Sequence, residues 1–156
     1  MPQSRVQLIA EIAEAVRDFQ DATDEVDEAA AAVLGINRTD LRCLAALSRR
    51  GSLAAGELAA EVALTSGATT SAIDRLVRQG LVERVPEGRD RRKVMVRRTS
   101  SAIEHSARIW GPIGQEAMGR LGRRRLTELQ AILAFLHEGI TVQLEHAARI
   151  RRLAED

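Results

Sequence analysis

Aromatic residues are nearly missing from this sequence, which has no tyrosine, one tryptophan and two phenylalanines among 156 residues. Its core must therefore be built from leucine, valine, isoleucine and alanine, and apolar residues at 45% are enough to build one. The single cysteine excludes an internal disulfide and fits a reducing compartment. With only three prolines against abundant alanine and leucine, the composition favours helix. No apolar run approaches the ~20 residues needed to span a bilayer, and the N-terminus lacks a basic-then-apolar signal pattern. A soluble cytoplasmic protein without a membrane partner is expected. Catalytic signatures are absent too: there is no G-x-S-x-G, P-loop, G-x-G-x-x-G or H-E-x-x-H. His105, His137 and His146 share no ligand spacing with one another or with Cys43. Neither an enzyme, a metal site nor a cofactor is expected.

The chain is organised around the stretch from Leu64 to Thr99, LTSGATTSAIDRLVRQGLVERVPEGRDRRKVMVRRT. Thr65 is placed to cap a helix, since its hydroxyl can accept from an orphan amide of the first turn. Ala68, Ala72, Ile73, Leu76 and Val77 recur at helical spacing as an inner face, while Ser66, Gly67, Thr70, Ser71, Asp74 and Arg78 form the opposite one. Gly80 stops the helix. Leu81 to Val85 and Lys93 to Arg98 alternate as strands around a charged turn, Gly88 to Arg92. Nine cations (Arg75, Arg78, Arg84, Arg89, Arg91, Arg92, Lys93, Arg97, Arg98) face four anions in this stretch, a surplus of five in a chain whose net charge is +1. A slim helix with hydroxyls at its N-terminal end suits a major groove, and a basic hairpin suits a phosphate backbone or a minor groove.

With LTSGATTSAIDRLVRQGLVERV followed by RDRR, the sequence resembles the MarR family of winged helix-turn-helix transcriptional regulators, whose wing carries an Asp-x-Arg signature matched by Asp90 and Arg92. The likeness extends more loosely from about Arg5 to Leu153. It implies a triangular homodimer joined by its terminal helices, with repression as the commoner mode of action. DNA-binding positions are expected at Thr65, Ser66, Gly67, Thr70 and Ser71 on base edges or phosphates, at Arg75 and Arg78 on the backbone, and at Arg91 and Arg92 in the minor groove, with Asp90 holding the wing turn. The family often has a long basic residue where Ser71 stands, which leaves the preferred bases open. The resemblance also implies a small aromatic or amphipathic effector, with candidate walls at Val16, Phe19, Leu44, Ile109 and Trp110.

The remaining chain fits this frame. From Arg5 to Leu34, Val6, Ile9, Ile12, Val16, Phe19, Val26, Ala30 and Val33 recur at helical spacings. This helix is acidic, with eight carboxylates from Glu11 to Glu28 against Arg5 and Arg17, so it should point away from DNA. Asn37 can cap a second helix, with Asp40 completing a capping box. Leu41, Leu44 and Leu47 form its stripe, and Cys43 between them is expected to be buried and inert. Ser52-Leu53 is expected as a short extended connection, and Ala54 to Val62 as a compact helix that completes a helix-turn-helix with the next. Ser101 and Glu104 suggest a capping box for a helix from Ala102 to about Leu121, interrupted near Gly111, Pro112 and Gly114. A last helix, about Leu126 to Leu153, carries Leu129, Leu133, Leu136, Ile140, Leu144 and Ala147 in a stripe.

The fold expected is thus mainly α with a small antiparallel β-wing: residues 1–34 as an N-terminal dimerisation helix, 35–99 as the winged helix-turn-helix, and 100–156 as C-terminal dimerisation helices, all in one integrated domain. The function expected is a sequence-specific DNA-binding transcriptional regulator, a ligand-responsive repressor acting as a homodimer on a pseudo-palindromic operator of double-stranded DNA. The alternative is a helical protein–protein interaction module that has lost DNA binding.

Overall fold

The computed structural model describes residues 4–87 and 90–153, with the side chains of residues 87 and 90–93 outside its description. The elements follow the order α1 (Arg5–Leu34), α2 (Arg38–Arg50), β1 (Ser52–Ala54), α3 (Ala55–Val62), α4 (Ser66–Arg78), β2 (Val82–Glu87), β3 (Asp90–Arg98), α5 (Ser100–Leu121) and α6 (Leu126–Leu153). The chain divides into two compact units, Met1–Ile109 and Trp110–Asp156.

The first unit holds the core. Leu44 and Leu47 of α2, Leu58 and Val62 of α3, Ile73 and Leu76 of α4, Val82 of β2, Val96 of β3 and Ala102 of α5 close around one another. Each leucine or isoleucine removed from water here contributes about 2 kcal/mol. The strands pair antiparallel in the order β1-β3-β2. Ser52-Leu53, expected only as an extended connection, is drawn into the sheet: Leu53 pairs with Val96, which puts two buried side chains side by side and occupies the outer edge of β3.

Helix ends are set by local chemistry. Ser4 and Gln7 form a capping box on α1. Gly35 and Gly80, with φ of 64° and 67°, occupy the left-handed position after α1 and α4. At Gly80 the amides of Gly80 and Leu81 reach back to Val77 and Leu76 carbonyls, which is the Schellman pattern. Asn37 caps α2 through the Asp40 amide, but the expected box is only half formed, because the Asp40 carboxylate is engaged elsewhere. For α5 the cap is Thr99, not Ser101: its Oγ1 accepts from the Ala102 amide at 3.1 Å. The helix then runs through Gly111, Pro112 and Gly114 without the expected interruption.

Ala63 is the exception among the caps. It ends α3 at φ 52°, where a Cβ crowds the following carbonyl. Ala63→Gly should therefore raise stability by about 0.5–1 kcal/mol, net of the larger chain entropy that glycine loses on folding. Urea denaturation measures this, and an unchanged or lower midpoint would show that the turn carries no strain.

The terminal helices hide little. In α1 only Ala30 and Ala31 are buried, and Phe19 is 72% exposed. In the second unit, α6 has no buried residue. Its start is pinned by Glu128, which accepts from the Arg125 amide at 2.8 Å; that bond holds the carboxyl below the usual carboxylate range.

Candidate nucleic-acid interface

Helix α4 presents a polar face because its apolar residues are spent on the core. Thr69, Ala72, Ile73 and Leu76 are buried, while Ser66, Gly67, Thr70, Ser71, Asp74 and Arg78 are exposed. Thr69 takes the inner place expected of Ala68, and Val77, also expected inside, is 36% exposed. A buried threonine is tolerated here because its hydroxyl donates to the Thr65 carbonyl at 3.0 Å.

The N-terminal end of α4 carries a cluster of hydroxyls. Thr65 caps it, accepting from the Ala68 amide at 3.3 Å. Thr70 donates its hydroxyl proton to the Ser66 carbonyl at 2.9 Å, so toward an outside partner it offers lone pairs. A Cβ built on Gly67 meets no atom within 4 Å, so the protein's own packing does not require glycine there. Its bareness matters only to something approaching from outside.

The structure gives Arg75 a partner other than the phosphate backbone expected for it. Its Nε and Nη2 donate to Oδ2 and Oδ1 of Asp40 at 2.9 and 2.7 Å. Asp40 is 1% exposed, and the pair ties α4 to α2. The hydrogen bonds from Arg75 to Asp40 raise the guanidinium above its ordinary range. Burial, and then the Asp40 charge, push the neighbouring Cys43 thiol up; Cys43 is fully buried, as expected. The sequence held one signal for this pair. Asp40 stands four residues before Leu44 and seven before Leu47, on the apolar stripe, and a carboxylate there demands a cation. Gln79 adds a further tie, donating to the Gly35 carbonyl at 3.3 Å.

Beside the outer face of α4, Asp74 accepts from Nη2 of Arg84 on β2 at 2.5 Å. Ser71, Asp74, Arg75, Val77, Arg78 and Arg84 line an open depression of about 570 Å³. A smaller one of about 250 Å³ lies between Gly35, Ile36, Asn37, Asp40, Arg75, Arg78 and Gln79. Arg78 borders both and has no ion pair among the described residues. In the hairpin Glu87 pairs with Asp90, with an irregularity at Pro86/Glu87. The roles expected of Asp90, Arg91 and Arg92 fall on side chains outside the described ones.

Among the five residues expected to wall an effector pocket, Leu44 lies in the core, 6% exposed. Val16, Ile109 and Trp110 are half-buried, and neither depression has any of the five on its wall.

Comparison with known proteins agrees with this geometry. The model of the MarR family matches residues 34–93, from the end of α1 into the wing. YcgE of Bacillus subtilis (strain 168), named an uncharacterized HTH-type transcriptional regulator, is 29% identical over 125 residues, covering 80% of this chain and 81% of its own. The crystal structure of a MarR family transcriptional regulator from Silicibacter pomeroyi superposes with a TM-score of 0.61 at 25% identity, over 91% of this chain and 95% of that one. A mutant of MepR from S. aureus, bound to an oligodeoxyribonucleotide, does so at 0.58 and 15% identity, over 85% and 97%.

Proposed function

Because this chain is a winged-helix DNA-binding transcriptional regulator of the MarR family, we propose that it acts as a homodimeric repressor on a pseudo-palindromic operator, relieved by a small aromatic or amphipathic acid. The observation that carries the reading is the outer face of α4. Its hydroxyls and bare Gly67 stand clear of the core, on a helix capped at Thr65 and braced to α2 through Arg75 and Asp40. Ser66, Gly67, Thr70 and Ser71 approach base edges or phosphates in the major groove, and Arg78 the backbone. Arg75 braces the helix. Arg91 and Arg92 reach the minor groove, and Asp90 holds the wing turn. The MepR mutant, which shares this fold, is bound to an oligodeoxyribonucleotide, and that supports DNA as the partner here.

Two copies are proposed because the apolar residues of α1 and α6 stay exposed. A two-fold axis through such helices sets two reading helices about 34 Å apart, one helical turn of DNA. The effector is the family's usual device: a ligand with different affinities for two spacings of the reading helices shifts operator binding. A cytoplasmic location follows from the role. The alternative of an interaction module without DNA binding is not favoured by relatives named as transcriptional regulators.

The test is a mobility-shift titration on duplex DNA at several salt concentrations. The parent should bind with a steep salt dependence. Arg92→Ala should weaken binding to many sequences and flatten the slope by about one unit. Asp90→Ala deletes a negative charge, so plain electrostatics expects tighter binding, whereas loss of the turn expects weaker binding with the fold intact. If Asp90→Ala binds as well as the parent or better, the role given to Asp90 is wrong.

A further inference from the structure

One group on the outer face of α4 is not explained by general DNA affinity. The helical period sets Gly67, Ser71, Asp74 and Arg78 on one line, opposite the buried Thr69 and Leu76. Asp74 is the sole carboxylate of this helix, and it stands near the middle of that line. Pressed against phosphates, a bare carboxylate repels them and loses its water. Here it is not bare. Arg84, from the adjoining β2 strand, donates to its Oδ1, and the two side chains stay 52% and 41% exposed. The pair is therefore near neutral toward the phosphates, while Asp74 keeps its second oxygen and unused lone pairs open to a partner.

We propose that Asp74 is a base-reading residue: its carboxylate accepts a hydrogen bond from the exocyclic amino group of a cytosine in the major groove, with Arg84 as the positioning residue that neutralises and holds it. This rests on the DNA-binding reading of the same helix. An ionised carboxylate only accepts, so it needs a donor on the base edge. The major groove offers two, cytosine N4 and adenine N6, and adenine sets an N7 acceptor beside its donor, which repels a carboxylate. Cytosine presents its amino group without that neighbour. Thr70, one turn earlier, has committed its proton to the Ser66 carbonyl and is an acceptor as well, so Asp74 and Thr70 together offer acceptors to an amino group. Arg84, on the wing strand, reaches α4 through Asp74 and needs no base of its own.

The experiment selects binding sites from a random duplex pool with the full-length parent. It then measures parent, Asp74→Ala, Asp74→Asn and Arg84→Ala on the selected site with every base pair exchanged in turn. The parent should enrich a site in which replacing one C·G pair, and its two-fold mate, costs about tenfold or more in affinity. Asp74→Ala should lose discrimination at that pair alone. Asp74→Asn, which can both donate and accept, should move the preference there to adenine. Arg84→Ala should weaken binding to every sequence and also blunt the cytosine preference, since Asp74 loses the partner that holds it; a preference kept in full would show that Arg84 does not position Asp74. Circular dichroism of these surface variants reports that each remains folded. If both Asp74 variants keep the parent's preference at every position, Asp74 only anchors Arg84 and the proposal is overturned. A loss of preference at some pair other than C·G overturns the cytosine assignment. A parent that shifts duplex but enriches no sequence overturns the base reading while leaving DNA binding intact. A parent that shifts none overturns both.

Discussion

Arg75→Ala should leave the protein markedly less stable, and the reason is what it strands. The cost, about 3 kcal/mol, is that of a buried carboxylate deprived of its cation. Asp40 is 1% exposed and accepts from two guanidinium nitrogens at 2.7 and 2.9 Å. The figure belongs at the lower end for broken buried pairs, because the Arg75 side is open to solvent. The reverse substitution, Asp40→Ala, should cost less, since a long guanidinium can swing into water whereas a short carboxylate on α2 cannot. Replacing both, Asp40→Leu with Arg75→Met, should recover most of the loss. Urea denaturation of the three variants orders them. If Asp40→Ala proves the more damaging single change, the pair is not what braces α4 to α2. A second readout separates bracing from phosphate contact. At temperatures where each variant is folded, Arg75→Ala should keep the parent's salt slope for DNA, whereas a lost phosphate contact would flatten it by about one unit.

Leu136→Glu combined with Ile140→Glu should yield a folded monomer whose operator affinity is lower by about 10² to 10⁴. Both residues lie on the α6 stripe and are about half exposed, at 49% and 55%, so the charges disturb no core. Burial of that stripe against a second copy is what the dimer reading requires, and two glutamates in an apolar interface would each lose hydration without a partner. A monomer holds one half-site at a time. It forfeits the effective concentration that the first bound half confers on the second. Sedimentation gives the mass, and mobility shift on the selected operator gives the affinity. A variant that remains dimeric with the parent's affinity would remove α6 from the interface.

Much of the helix-turn-helix was legible because its signals are local. Thr65 caps α4 and Gly80 ends it in a left-handed turn, both through bonds within a few residues, and side-chain type alone announces them. The choice between near neighbours was less legible. Thr99 caps α5 in place of the expected Ser101, and Thr99 also donates to the Gly80 carbonyl at 2.8 Å, a bond that exists only once the sheet has formed. Thr69 lies inside and Val77 at the surface, because the direction of burial on α4 is set by α2, α3 and the strands and not by hydropathy. The role of a single apolar residue was the least legible: it reads the same whether it fills a core or lines a cavity, and Leu44 fills a core.

By itself the sequence determined the order of the helices and the hairpin, the polar outer face of α4, and the basic surplus of the hairpin, since each follows from residue chemistry over a short span of chain. Tertiary structure alone decided that β1 joins the sheet as its third strand, that Arg75 turns inward to Asp40 across 35 residues of chain, and that Arg84 meets Asp74. The physical reason is the same in each case. A charge or an unpaired strand edge has many partners available in an unfolded chain, and only packing of the core brings one of them within hydrogen-bonding distance.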